Sequence, residues 1–131
     1  MGKIVHGIDL GTTNSALCKV TRGEVKIKKS PTQKDTTVSC IGFNRRQTLQ
    51  VGDNAFNLLK QDRTRSLMSK SAGESNIYIE FKRTMGTDKK YHSSHMNKEY
   101  SSEELSAEVL KTLKSYDKDE EFQSVVIKLQ H

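Results

Sequence analysis

Gly7-Ile8-Asp9-Leu10-Gly11-Thr12-Thr13-Asn14-Ser15, close to the N-terminus, is the stretch on which the reading of the chain depends. It follows Ile4 and Val5 and leads into Ala16, Leu17, Cys18, Lys19 and Val20. An apolar run, a polar turn centred on glycine and a second alternating apolar run predict a β-hairpin. The turn gathers the hydroxyls of Thr12, Thr13 and Ser15, the amide of Asn14 and the carboxylate of Asp9. Gly11 has no Cβ, so its backbone can approach a bulky anion closely and can reach a positive φ. Successive backbone N–H groups in such a turn form a concave anion site, and the hydroxyls add donors. Asp9, at the end of the first strand, is placed to hold a hydrated Mg²⁺, because that ion keeps several waters and uses few carboxylates. A hairpin with a threonine-rich turn can also be only a hairpin, so the rest of the chain has to decide.

The 131 residues are enough for one modest domain with a core. Only 33% of them are hydrophobic and none is Trp, which makes a thin core for this length and points to an incomplete unit. The mean hydropathy of −0.73 says the same. No stretch has the apolar length of a membrane helix or the pattern of a secretory signal. Met1-Gly2-Lys3 runs straight into a strand, so the expected location is the cytoplasm, with no membrane partner.

Cys18 and Cys40 are far apart and form no C-x-x-C pair, which favours two buried structural thiols in a reducing compartment over a zinc site. His6, His92, His95 and His131 are scattered, and His92 and His95 fall in a polar, Ser-rich stretch where solvent exposure is expected. A net charge of +6 raises the question of nucleic acid. The basic residues are spread along the chain in pairs such as Lys28-Lys29, Arg45-Arg46 and Lys89-Lys90, and aromatics are only 6%. A solvated basic surface without a nucleic-acid partner accounts for that pattern better.

After the hairpin, Arg22-Gly23 predicts a tight turn, and Val25 and Ile27 alternate with charged residues as a third strand. Ser30 to Asp35 is a loop with the only proline, Pro31. Thr36 to Phe43 is β-branched and apolar enough for a further strand, and Thr48, Leu49 and Val51 predict a short one ending at Gly52. Asp53 is the expected cap of a helix whose buried stripe is Ala55, Phe56, Leu58 and Leu59. Gln61 to Ser75 is polar and irregular, and Thr87 to Tyr100 is expected to be a charged, Ser-rich loop. Ser101 and Glu104 form a capping box, and Leu105, Val109, Leu113 and Tyr116 recur at helical spacing with Leu110 beside them.

Gly7 to Ser15 resembles the first phosphate motif of the seventy-kilodalton heat-shock chaperones of the DnaK type. Later stretches are similar to that family in the right order. Among them, Val51 to Leu59 resembles its V-G-x-x-A segment, and Phe122 with Val125, Val126 and Ile127 resembles its V-I-T-V-P-A strand. Asp35-Thr36-Thr37-Val38-Ser39 resembles its R-T-T-P-S segment, with Asp35 in place of arginine and Val38 in place of proline. Phe81-Lys82-Arg83-Thr84-Met85-Gly86 resembles its lysine–arginine motif, and Glu104 to Lys114 resembles the helix that returns to the main sheet. The resemblance implies an α/β chain with the actin-like, ribonuclease H-like ATPase fold, here the first part of lobe I with a shortened small subdomain. Residues 1–131 would form a partial nucleotide-binding domain. After Ile127 the family continues Thr-Val-Pro, whereas this chain has Lys128-Leu129-Gln130-His131, so residues 128–131 are expected to be a non-native tail.

The implied activity is ATP hydrolysis coupled to binding and release of unfolded polypeptide, with co-chaperones as further partners. ATP or ADP and Mg²⁺ are the implied cofactors, with K⁺ as a further cation. On this resemblance Lys82 reaches the γ-phosphate and the attacking water, and Asp9 orients the hydrated Mg²⁺ as the second catalytic residue. Gly11, Thr12 and Thr13 bind phosphates, Asn14 flanks the nucleotide, and Arg83 serves the phosphate site or a lobe interface. The chain by itself is expected to be inactive and to self-associate through an open sheet edge. A sugar or glycerol kinase, a filament-forming actin relative and a non-enzymatic interaction piece are the rival readings.

Overall fold

In the computed structural model of the chain, residues 4–68, 76–118, 122 and 124–129 are described. The predicted hairpin is β1 (Ile4–Leu10) and β2 (Asn14–Thr21), paired antiparallel from Ile4↔Thr21 to Leu10↔Ser15. Arg22 and Gly23 both take positive φ in the turn to β3 (Glu24–Lys28), which completes the meander. The outer edge of β2 is shared. Its later residues pair with β3, and Asn14 and Ser15 pair with β4 (Thr37–Val38).

The expected single strand over 36–43 is broken into two. β4 ends at Val38, and β5 (Cys40–Phe43) belongs to a second sheet, between β6 (Leu49–Val51) and β7 (Ile77–Ile79). All of β5 is buried because it is covered on both sides. Ile41 and Phe43 join the main core, while Cys40 packs with Ala55, Leu59 and Ile77. Burial pushes the Cys40 thiol up to about 12.

Helix α1 (Asp53–Met68) starts as expected but runs on where an irregular segment was expected from Gln61; residues 69–75 of that segment lie outside the described ones. Asp53 sits inside the first turn and pairs with Lys34 at 2.7 Å, and the Phe56 N–H donates to the Gly52 carbonyl, so Gly52 holds the cap position instead. Ala55 and Leu59 are buried; Phe56 and Leu58 are only partly so.

The expected loop over 87–100 is instead a hairpin, β8 (Lys90–Ser93) and β9 (Lys98–Ser101). Its polar alternation hides the strand signal, but Tyr91 and Tyr100 pack against the main core. His92 is exposed as expected, whereas His95 is half-buried, with Nδ1 at 2.9 Å from the Phe43 carbonyl.

Helix α2 (Ser102–Lys114) carries the capping box: the Glu104 N–H donates to Ser101 Oγ, and the Ser101 N–H donates to Glu104. Its stripe of Leu105, Val109 and Leu113 covers Ile8, Leu10 and Leu17 of the main sheet together with Phe81. Strand β10 (Val125–Leu129) then lies parallel to β1, from His6↔Val125 to Leu10↔Leu129. The main sheet therefore runs β10-β1-β2-β3.

One face of this sheet lies under α2. The other carries a row set by register, Val126–Gly7–Cys18–Ile27, in which Val126 is 61% and Ile27 47% exposed. Val125, Ile127 and Leu129 are exposed too, so β10 has little apolar cover on either side.

Candidate functional site

The turn between β1 and β2 is held from beneath. Ser39 Oγ–H donates to the Gly11 carbonyl at 2.9 Å, and the Ser39 N–H donates to the Thr13 carbonyl at 2.8 Å. Ser15 Oγ lies 2.9 Å from Ser39 Oγ. A hydroxyl has one proton, so Ser15 donates to Ser39 and Ser39 donates to Gly11. Both serines are buried. The Ser39 N–H bond to Thr13 extends the register of Ser15↔Thr37 and Asn14↔Val38 by one rung, after which the chain passes to the second sheet at Cys40.

Gly11 is required for a different reason from the one the sequence suggested. Its φ is not positive. A Cβ there would collide with the backbone carbonyl oxygen of Asn14. Gly11 is buried, Thr12 is half-buried, and Thr13 and Asn14 are exposed, so the turn presents its threonines and asparagine outward.

Asp9 lies at the end of β1 on the face away from α2, between Ala16 of β2 and Lys128 of β10. Its Oδ1 is buried without a hydrogen-bond partner among the described residues. Such an oxygen fits a hydrated Mg²⁺, which could hydrogen-bond to it through coordinated water. No group of three or more His, Cys, Asp or Glu side chains comes together among the described residues.

Lys82 and Arg83 lie in a 3₁₀ turn, Phe81–Thr84, entered through Glu80 at φ 55. Phe81 anchors this turn in the core. The start of α2 fixes its other end. Thr84 Oγ1 lies 2.5 Å from Ser102 Oγ and 2.7 Å from the Tyr91 hydroxyl, and the Gly86 N–H donates to Glu103 at 2.7 Å. That backbone hydrogen bond holds the Glu103 carboxyl below its ordinary value.

Lys82 Nζ is buried and, like Asp9 Oδ1, has no hydrogen-bond partner among the described residues. Arg83 is largely exposed and pairs with Glu80 at 3.6 Å. The hairpin thus brings Asp9, Gly11, Thr12, Thr13 and Asn14 together, while Lys82 and Arg83 come from a separate segment docked on the same core.

Two features escaped the sequence reading. Ser39 was visible within the Thr-Thr-Val-Ser run, but nothing in that run says where its hydroxyl goes. His6 is fully buried, its Nε2 2.8 Å from Asp117, and its ring stacks on Phe122 with centroids 3.7 Å apart. An alternating strand with histidine at a core-facing position was the available signal.

Comparison with known proteins places the chain in a family. The model of the family described as Hsp70 protein matches residues 5–128. The chaperone protein DnaK of Metamycoplasma hominis is 36% identical over 114 residues, covering 87% of this chain and 17% of the relative. DnaK of Mycoplasmopsis agalactiae is 35% identical over the same length, with the same coverage. DnaK of Ureaplasma urealyticum is 35% identical over 87% of this chain and 16% of its own. The chain spans about a sixth of the length of these curated relatives. With the motifs in order and the match running almost end to end, the chain belongs to the Hsp70 protein family.

Proposed function

We propose that the chain is the opening part of the ATP-binding domain of a DnaK-like chaperone, and that the Gly11–Asn14 turn cradles the β- and γ-phosphates. The fold this implies is lobe I of an actin-like ATPase. One observation carries the reading: an acid and an amine, Asp9 and Lys82, each have a buried polar atom without a partner. An unsatisfied buried polar group costs about 1–3 kcal/mol, and more when charged. Folding alone gives no return for that cost, whereas a Mg²⁺-bound polyphosphate would satisfy both groups.

Asp9 would hold the hydrated ion through water, Thr12 and Thr13 would bind phosphate oxygens, and Asn14 would flank the nucleotide. Lys82 would place a compact cation beside the γ-phosphoryl group. Arg83 would leave Glu80 to reach the phosphates or a neighbouring lobe. Mg²⁺, when bound, neutralises phosphate charge during transfer. The chain alone binds MgATP weakly or not at all and does not turn it over, because one phosphate turn cannot enclose a nucleotide or exclude water. Coupling of hydrolysis to unfolded polypeptides and co-chaperones in the cytoplasm belongs to a protein of the relatives' length.

The test is a chimera in which this chain replaces the matching residues of a DnaK relative. Asp9→Asn abolishes its ATP turnover, and Lys82→Ala lowers kcat by roughly 10²–10³. Turnover that survives Asp9→Asn overturns the reading. Multiple turnover with micromolar affinity by the isolated chain overturns only its expected inactivity.

A further inference from the structure

We infer that Ser39 is a positioning residue for phosphate binding, setting the shape of the Gly11–Asn14 turn through its hydroxyl and its amide. The inference rests on the phosphate-site reading above and extends it to a residue that lies under the turn rather than on it. Ser39 grips the turn at two points. Its hydroxyl donates to Gly11 and its N–H to Thr13. These bonds take up the carbonyls on either side of Thr12, and with the carbonyls facing the core side, the N–H groups of the turn are left for a ligand.

Ser15 completes the arrangement. Its hydroxyl, 2.9 Å from Ser39 Oγ, orients that oxygen so that its single proton goes to Gly11. Ser39 is 3% and Ser15 1% exposed, so water is kept from replacing either bond. The neighbouring Val38↔Asn14 pairing of β4 fixes the distance between the two segments. Ser39 therefore acts through the turn and touches no phosphate itself.

The experiment uses the full chain and reads the turn before any ligand is added. Amide hydrogen exchange and the Gly11 carbonyl ¹³C shift are measured in the wild type, Ser39→Ala, Ser39→Thr and a control, Ser93→Ala. Ser93 is equally buried, and its hydroxyl bonds Asn76 in another part of the molecule. Loss of one hydrogen bond speeds exchange of the Ser39 amide about two- to tenfold in Ser39→Ala beyond the change in the control, and moves the Gly11 carbonyl shift. Ser39→Thr, which keeps the hydroxyl, restores both.

The same variants in the DnaK chimera are then titrated with MgADP. Ser39→Ala weakens binding by about two- to tenfold, and Ser93→Ala leaves it unchanged. Exchange in Ser39→Ala no faster than in the control overturns the positioning role, whatever the nucleotide does. A loosened turn with unchanged MgADP affinity overturns its link to phosphate. Failure of the unsubstituted chimera to bind MgADP overturns the phosphate-site reading itself, and the inference with it. Should Ser39→Ala not fold, Ser15→Ala takes its place, and an unaltered Gly11 carbonyl shift in that variant is the refuting result.

Discussion

Replacing Asp117 by Ala removes a carboxylate that ties together three parts of the chain. Asp117 follows α2, accepts a hydrogen bond from His6 Nε2 of β1 at 2.8 Å, and lies 3.6 Å from Lys28 Nζ of β3. His6 in turn stacks on Phe122 and donates its backbone N–H to Ser124, directly before β10. The Asp117 and His6 side chains are 1% and 0% exposed, while Lys28 is 31% exposed and keeps part of its water. Breaking a buried pair by removing one partner costs about 3–5 kcal/mol, and the half-open Lys28 argues for the lower end, about 3 kcal/mol. At this chain length 1 kcal/mol corresponds to roughly 4 °C, so Tm falls by about 12 °C.

The pH dependence carries a sign. Burial works against the Asp117 charge, but the hydrogen bond from His6 and the nearby Lys28 and Lys19 outweigh it and hold the carboxyl below its ordinary value of 3.8. A carboxyl depressed in the folded state adds stability above its unfolded pKa and loses it as pH falls through the folded value. In urea melts followed by circular dichroism, wild type and Asp117→Ala differ by about 3 kcal/mol at neutral pH. The gap holds down to about pH 5 and then narrows progressively as pH falls toward the depressed folded value. A neutral-pH difference under about 0.5 kcal/mol, the size of an ordinary surface substitution, refutes the reasoning. So does a gap that does not narrow at all between about pH 5 and pH 3.

Val126→Lys and Ile127→Lys place charge on the exposed β10 edge, and both reduce self-association of the wild-type chain in light scattering at high concentration. A wild type that stays monomeric shows that the edge does not recruit a second strand. Cys18, half-buried, is alkylated at pH 8 before buried Cys40, whose thiol lies near 12; mass mapping that finds Cys40 modified first contradicts the packing around β5.

The hairpin, the meander and α2 with its capping box were legible because each follows from local chemistry. Alternation, a turn glycine or a Ser–Glu pair at the right spacing announces them. Strand β10, by contrast, was legible only through its resemblance to the family's strand. The expectations that failed did so where distant parts of the chain decide. The 36–43 run is apolar enough for one strand, and only the change of pairing partner, from β2 to β6 and β7, divides it. The β8–β9 hairpin reads as loop in the sequence because its inward residues, Tyr91 and Tyr100, are separated by a mostly polar run rich in serine and histidine.

At the site, the glycine, threonines and aspartate were visible as residue types, but the reason Gly11 must be glycine was not. The collision is with the Asn14 carbonyl and depends on the turn's closed shape. Family membership favours the chaperone reading over the kinase and filament rivals.

The buried polar atoms of this molecule show where folding and function pull apart. His6 Nδ1, Asp9 Oδ1 and Lys82 Nζ have no hydrogen-bond partner among the described residues. The first is the mild case: the ring already has Asp117 at 2.8 Å from Nε2 and is held by its stack on Phe122. Lys82 is different. Its turn is fixed by Phe81, Thr84 and Gly86, so the side chain cannot follow its amine into water by moving the backbone.

An amine kept dry on a rigid support is a cost to stability that only a ligand offsets. Lys82→Met keeps the length and apolar stem and removes the amine, so it stabilises the free chain by about 1 kcal/mol, the low end for an unsatisfied buried group. Urea melts of the isolated chain measure this without any nucleotide. A loss of stability on Lys82→Met would mean that the amine is satisfied in solution, and the argument that it waits for a phosphate would fail.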